Sequence, residues 1–97
     1  MKIEWTEPAI ESLQAIEDYI ALDSKFYAKV FVEKIIKQVD KLKEFPVIGK
    51  IVPEYKKDDI REILFGNYRI VYHLYPDSVV ILNIIHGSRD FIKVMGK

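Results

Sequence analysis

The sequence predicts an α+β fold with the element order β-α-α-β-β-β, in which a helical hairpin packs on one face of an antiparallel sheet. Apolar residues recur at helical spacing between residues 9 and 42. Between residues 60 and 85 they change to the pattern of strands, with β-branched and aromatic residues in three runs. Because 97 residues suffice for one core, we expect a single domain over residues 1–97.

The chain begins with a predicted strand and helix. Lys2 to Trp5 has the composition of a short strand, and Thr6 is a suitable N-cap for a helix after it. Pro8 lies in the first helical turn, where its missing N–H costs nothing. The apolar face of this helix is predicted to consist of Ala9, Leu13, Ile16 and Ile20.

A second helix follows after a short break, so the two helices form an antiparallel hairpin. Asp23 or Ser24 can cap it, and it is predicted to run to about Glu44, before Pro46. Residues 45–54, with two prolines and a glycine, are predicted to be an ordered loop. The apolar stripe of the second helix consists of Phe31, Ile35, Val39 and Leu42.

The three strands are predicted at Ile60 to Phe65, Tyr68 to Tyr75 and Val79 to Ile85. Gly66-Asn67 separates the first two and is typical of a type II′ hairpin turn, which places Phe65 opposite Tyr68. One face of this hairpin then carries Ile63, Phe65, Tyr68, Ile70 and Tyr72. The other face carries Ile60, Glu62, Leu64, Arg69, Val71 and His73.

The third strand is apolar on both sides, although two helices can cover only one face of a sheet. Its register depends on a turn of two or three residues, which the sequence leaves open. Two explanations remain for the second apolar face. Either the loop at 45–55 and the tail from Asp90 to Gly96 close it, or a segment of a partner protein lies across it.

Composition and charge exclude several classes of function. Lys plus Arg equals Asp plus Glu, so a broad nucleic-acid clamp is not expected. Cysteine is absent and the two histidines lie far apart in sequence, so neither a metal site nor a cofactor is expected. The acidic start and the lack of a long apolar stretch predict a cytoplasmic protein without a membrane span.

Four segments together resemble the RelE/ParE toxin superfamily, and its ParE branch most closely. Residues 68–72 read YRIVY, and residues 80–90 read VILNIIHGSRD, like the ending typical of ParE members. Residues 45–54 with Ile60-Arg61-Glu62, and the opening Trp5-Thr6-x-x-Ala9, resemble the middle and the start of the family. The likeness covers essentially the whole chain and agrees with the predicted fold.

The resemblance implies a toxin of a type II toxin–antitoxin system, of the plasmid-stabilisation type, that a small antitoxin from the same operon neutralises. ParE-like members inhibit DNA gyrase without being enzymes, whereas RelE-like members cut mRNA on the ribosome without a metal ion. We expect a gyrase inhibitor, because the charge is balanced and the chain has Phe91 where RelE-like members carry a titratable residue. The alternatives are a RelE-like endoribonuclease and a non-toxic binding member of the family.

Site residues follow from the same resemblance. For a nuclease, Arg69 and Arg89 would stabilise phosphorane charge, and His86 and Glu54 would transfer protons. For a binding protein, the expected contacts with the target or antitoxin are Arg69, Arg89, Leu64, Val71 and His73.

Structural roles compete with several of these assignments. Glu62 and Arg69 share a face of neighbouring strands and can form a cross-strand ion pair. His86, before a glycine, can be a hydrogen-bonded structural histidine. Arg61 is expected to pair with a helix carboxylate.

Overall fold

The computed structural model describes residues 1–96. Within these residues, three helices and five strands follow one another, with a single 3-10 turn at Lys41–Lys43. The elements are β1 (Lys2–Trp5), α1 (Glu7–Ala21), α2 (Lys25–Asp40), β2 (Lys50–Ile51), β3 (Ile60–Phe65), β4 (Tyr68–Leu74), β5 (Ser78–His86) and α3 (Phe91–Met95). The predicted α+β order and the helical hairpin are confirmed.

The five strands form one sheet in the order β1-β5-β4-β3-β2. β2 to β5 are antiparallel to their neighbours, whereas β1 runs parallel to β5, with Lys2 opposite Ser78 and Trp5 opposite Ile81. The sheet is therefore mixed and not antiparallel throughout, because β5, which follows the helical hairpin and the antiparallel strands β2 to β4, runs in the same direction as β1. The two-residue strand β2, inside the predicted loop, was not anticipated.

Side-chain caps define the starts of both long helices. The Thr6 hydroxyl oxygen accepts a hydrogen bond from the Ala9 amide (3.2 Å) and its O–H donates to the Ile81 carbonyl (2.8 Å), so this cap also joins α1 to β5. Ser24 is the residue that caps α2, by accepting from the Tyr27 amide (3.1 Å). α2 ends at Asp40, a few residues before the predicted end, because the 3-10 turn follows directly.

The β3–β4 hairpin has the predicted register, with Phe65 opposite Tyr68 and Ile63 opposite Ile70. Gly66 has φ of +58°, as the first central residue of a type II′ turn requires. The main core lies between this sheet face and the helices. Its buried members include Ile16, Ile35, Val39, Leu42, Ile70, Tyr72, Val79 and Ile81.

A β-bulge in β5 settles the register of the last strand. Val71 lies opposite Asn83 and Tyr72 opposite Ile81, so Leu82 has no opposite residue. The inserted residue reverses the alternation of β5. Ile81 and Ile84 therefore both pack in the main core, while Leu82 and Ile85 lie on the other face of the sheet.

The second apolar face of the sheet is covered by the chain itself. Val52 from the loop and Phe91 from α3 pack on Val71 and Ile85 in a second buried cluster. Tyr55, Ile60, Leu82, Val94 and Met95 pack around it. The structure therefore supports the first explanation for this face, closure by the loop and the tail. The centre of the face is not accessible to a partner.

No helix in residues 1–96 is both long and apolar enough to span a membrane.

Candidate functional site

Arg69 on β4 is held by two carboxylates. Its Nε donates to the Oε1 atom of Glu62 on β3 (2.5 Å), which confirms the predicted cross-strand ion pair. Its Nη1 and Nη2 donate to the two carboxylate oxygens of Glu54 at 2.9 and 2.7 Å. This planar, bidentate geometry suits a guanidinium, so Glu54 and Glu62 together neutralise the charge of Arg69.

Burial makes this cluster an integral part of the fold. Glu62 is 2% exposed, and Lys50 adds a second cation 3.7 Å from its carboxylate. The hydrogen bond from Arg69 lowers the pKa of Glu54 below its ordinary value of 4.5, and the same contact with Glu54 raises the pKa of Arg69. The ring centroid of Phe91 lies 4.3 Å from the Arg69 Cζ atom, which closes the cluster with a cation–π contact.

His86 and Arg89 lie at the end of β5 and in the turn after it. The Nδ1 atom of His86 accepts a hydrogen bond from the Ser88 amide (3.1 Å), and the Ser88 hydroxyl lies 2.7 Å from the same nitrogen. The His86 ring also meets the Tyr68 ring edge to face, with 5.2 Å between the centroids. His86 is thus hydrogen-bonded as predicted, whereas the Arg89 guanidinium has no hydrogen bond or ion pair with residues 1–96.

The remaining expected contact residues lie in different environments. Leu64 is 56% exposed, as a contact residue requires. Val71 is fully buried under Val52 and Phe91, so the expectation that it presents surface to a partner is corrected. His73 lies 3.0 Å from the Asp59 carboxylate and stacks on a neighbouring tyrosine ring.

Two concave regions bring the candidate residues together, and His86 lines both. The hairpin depression, about 450 Å³, is lined by Leu64, Gly66, Asn67, Tyr68, Arg69, His86, Gly87 and Ser88. The α1–β5 cleft, about 270 Å³, contains Arg89 and is lined by Ser12, Ala15, Ile16, Tyr19, Tyr68, Ile84, Ile85, His86, Arg89 and Val94. Glu54 belongs to the Arg69 cluster, and His73 to neither concave region.

Sequence analysis missed the contribution of α1 to this surface. Ser12 and Tyr19 each lie one position before a residue of the predicted apolar stripe, and only the packing of α1 beside β5 brings them to the cleft. The Ser12 hydroxyl donates to the Asn83 Oδ1 atom (2.6 Å), which also accepts from the Ile84 amide (2.8 Å) next to the bulge. The signal available in the sequence was Asn83, a polar residue within an otherwise apolar strand.

The loop before β2 is fixed by backbone contacts that the sequence did not indicate. The Tyr72 hydroxyl donates to the Pro46 carbonyl (2.7 Å) and accepts from the Gly49 amide (3.0 Å). Arg61 donates to the carbonyls of Asp58 and Gly49, both at 2.9 Å, and not to a helix carboxylate as expected. Asp58 lies just before β3, and Gly49 lies just before β2, which pairs with β3, so both carbonyls are within reach of Arg61.

Comparisons with known proteins agree on the family. A family model described as "ParE toxin of type II toxin-antitoxin system, parDE" matches residues 3–91. A solved structure titled as a chromosomal ParDE system from P. aeruginosa matches at 25% identity with a TM-score of 0.74, over 89% of this chain and 95% of that chain. Among curated proteins, no sequence matches significantly.

A second solved structure, a RelBE2 toxin–antitoxin complex from Mycobacterium tuberculosis, has the same fold. It matches with a TM-score of 0.63 at 19% identity, over 88% of this chain and 95% of that chain. The family model covers most of the chain and the solved structures share its architecture. The chain therefore belongs to the ParE toxin family of type II toxin–antitoxin systems.

Proposed function

We propose that this protein is a toxin that an antitoxin from the same operon neutralises, and that it inhibits DNA gyrase without cutting RNA. The family supports the first part. The observation that carries the second is the state of Arg69, whose guanidinium is bound by Glu54 and Glu62. A cation already neutralised by two carboxylates is poorly placed to stabilise the additional charge of a phosphorane.

Two further groups that a nuclease site would need are also unfavourable, at Glu54 and at Phe91. The ion pair with Arg69 lowers the pKa of Glu54, which makes that carboxylate a weaker general base. Phe91, at the position where RelE-like members carry a titratable group, packs in the second buried cluster and has no proton to transfer.

The antitoxin is proposed to bind the surface that this packing leaves exposed. Both of the similar solved structures are toxin–antitoxin systems, which supports a protein partner of this kind. Leu64 and Arg89 are exposed, and each lines a concave region next to His86. Arg69 and His73, which are partly buried, are proposed as the border of the contact surface.

Growth under induced expression tests the toxin proposal. We expect induction of this chain alone to arrest growth, and co-expression of the small protein from the adjacent gene to restore it. Western blotting of the soluble fraction controls for expression. Normal growth with abundant folded protein would instead support a non-toxic binding member of the family.

Two assays on the purified protein separate the mechanisms. We expect it to inhibit supercoiling of relaxed plasmid by gyrase, and to leave ribosome-bound mRNA uncut at the same concentration. Addition of the antitoxin should restore supercoiling. Cleavage of mRNA in the ribosomal A site, together with unimpaired supercoiling, would overturn the proposal in favour of a RelE-like nuclease.

A further inference from the structure

The α1–β5 cleft is lined by both apolar residues and hydrogen-bond donors. Ile16 and Ile84, both buried, contribute aliphatic surface from α1 and from β5. Arg89, His86 and the phenol of Tyr19 add polar groups to the lining. A volume of about 270 Å³ accommodates one or two side chains, and is too small for a folded element.

Arg89 is the arginine whose donors remain free within residues 1–96. Arg61 donates to two backbone carbonyls, and Arg69 donates to two carboxylates. No equivalent contact holds Arg89, although it lies next to the well-packed end of β5. The Arg89 guanidinium has unused donors and lines the same cleft as aliphatic side chains. This combination suits a planar anion, such as a carboxylate, that is attached to an apolar group.

The contacts of His86 define its tautomer. Because the Ser88 amide donates to Nδ1, this nitrogen presents a lone pair, and the ring carries its proton on Nε2. Within residues 1–96, no hydrogen bond uses that Nε2–H group. The ring is held by Ser88 and by its edge contact with Tyr68, so His86 offers a positioned donor among the residues that line the cleft together with Arg89.

We propose that the α1–β5 cleft binds a side-chain carboxylate of a peptide segment, with an adjacent aliphatic side chain packed against Ile16 and Ile84. The single cation matches one carboxylate, whereas nucleic-acid phosphates are usually bound by several cations. Asp90 adds a negative charge next to Arg89 and would oppose a polyanion. This inference rests on the proposed function, in which the segment belongs to the antitoxin.

Short peptides test this site without depending on toxicity. The probes are the dipeptide amides acetyl-leucyl-glutamate and acetyl-leucyl-glutamine, titrated into the purified protein and followed by NMR of the His86 ring and the Arg89 side chain. We expect saturable shifts with the glutamate peptide, and an affinity lower by about tenfold or more for the glutamine peptide, because a charged hydrogen bond contributes roughly 1.5–3 kcal/mol.

Three variants complete the test. Arg89→Gln should lower the affinity for the glutamate peptide by about tenfold or more, and Arg89→Lys should lower it less, because it keeps the charge but not the fork. Lys37→Gln on α2, another exposed cation, should leave the affinity unchanged. The amide spectrum of each variant establishes that it is folded.

Three results would overturn the proposed site. They are equal binding of the two peptides, no binding of either peptide, and an unchanged affinity for the glutamate peptide in Arg89→Gln. Inorganic phosphate that binds the cleft as tightly as the glutamate peptide would also overturn it, in favour of a general anion site. Failure of the proposed function is recognised separately, as absence of growth arrest. Peptide binding that depends on Arg89 would still be measured in that case.

Discussion

Arg69 and Glu54 form a two-point ion pair between the centre of the sheet and the loop that follows β2, with N–O distances of 2.9 and 2.7 Å. The same guanidinium neutralises Glu62, which is almost completely buried. The residue that the family motif suggests as a functional cation thus has a structural role. We therefore expect substitution of Arg69 to lower the free energy of unfolding, because the residue neutralises two carboxylates.

Replacement of Arg69 should therefore destabilise the protein strongly. Arg69→Gln leaves the buried Glu62 carboxylate with only the exposed Lys50 ammonium, 3.7 Å away, and we expect a loss of about 3 kcal/mol in the free energy of unfolding. Glu54→Gln removes the partly exposed partner and should cost about 1 kcal/mol or less. Urea denaturation measures both. Equal, small losses would show that Glu62 does not depend on Arg69.

Stability should fall in acid because of Glu54. Its pKa is lower in the folded protein than its ordinary value of 4.5, so its contribution is fully present above that value and is lost as the pH falls through the folded pKa. Glu54→Gln should reduce the loss of unfolding free energy below pH 4.5, measured by urea titration at several pH values. Glu11→Gln, on the exposed side of α1, is the matched control and should keep the wild-type slope.

Gly49 should not tolerate a side chain. A Cβ atom at this position would lie 2.6 Å from the Tyr72 hydroxyl and 2.7 Å from the Glu62 carbonyl oxygen. We expect Gly49→Ala to lower the free energy of unfolding by about 2 kcal/mol, because the loop must move away from the sheet. Gly87→Ala, whose nearest contact is 3.3 Å away, should cost clearly less in the same denaturation experiment. Similar losses would mean that the loop adapts freely.

Phe91 should hold α3 against the sheet. Phe91→Ala removes a buried ring from the second cluster and from Arg69, and we expect it to lower the free energy of unfolding by about 3 kcal/mol. Binding of a hydrophobic dye should increase, because Val71 and Ile85 become accessible. Ile92→Ala, at an exposed position of the same helix, should change neither quantity much. Equal effects of the two substitutions would show that α3 does not seal this face.

The sequence determined the order of the two long helices and of β1, β3, β4 and β5, because helical and strand periods of apolar residues are local properties. Thr6 predicted a helix cap because its hydroxyl can accept a backbone hydrogen bond, and Gly66 predicted a turn because glycine tolerates a positive φ. The length of that turn set the β3–β4 register. The Glu62–Arg69 pair was also predictable, since alternation along two paired strands places these residues on one face.

Tertiary structure alone decided what covers the second face, and hence which candidate residues remain on the surface. The parallel pairing of β1 with β5 and the bulge at Leu82 depend on contacts far apart in sequence. Val71 became buried because Val52 and Phe91 fold back over it, whereas Arg89 stayed exposed in a cleft that α1 completes. No local pattern contains such contacts, because their free energy arises only when distant segments pack together.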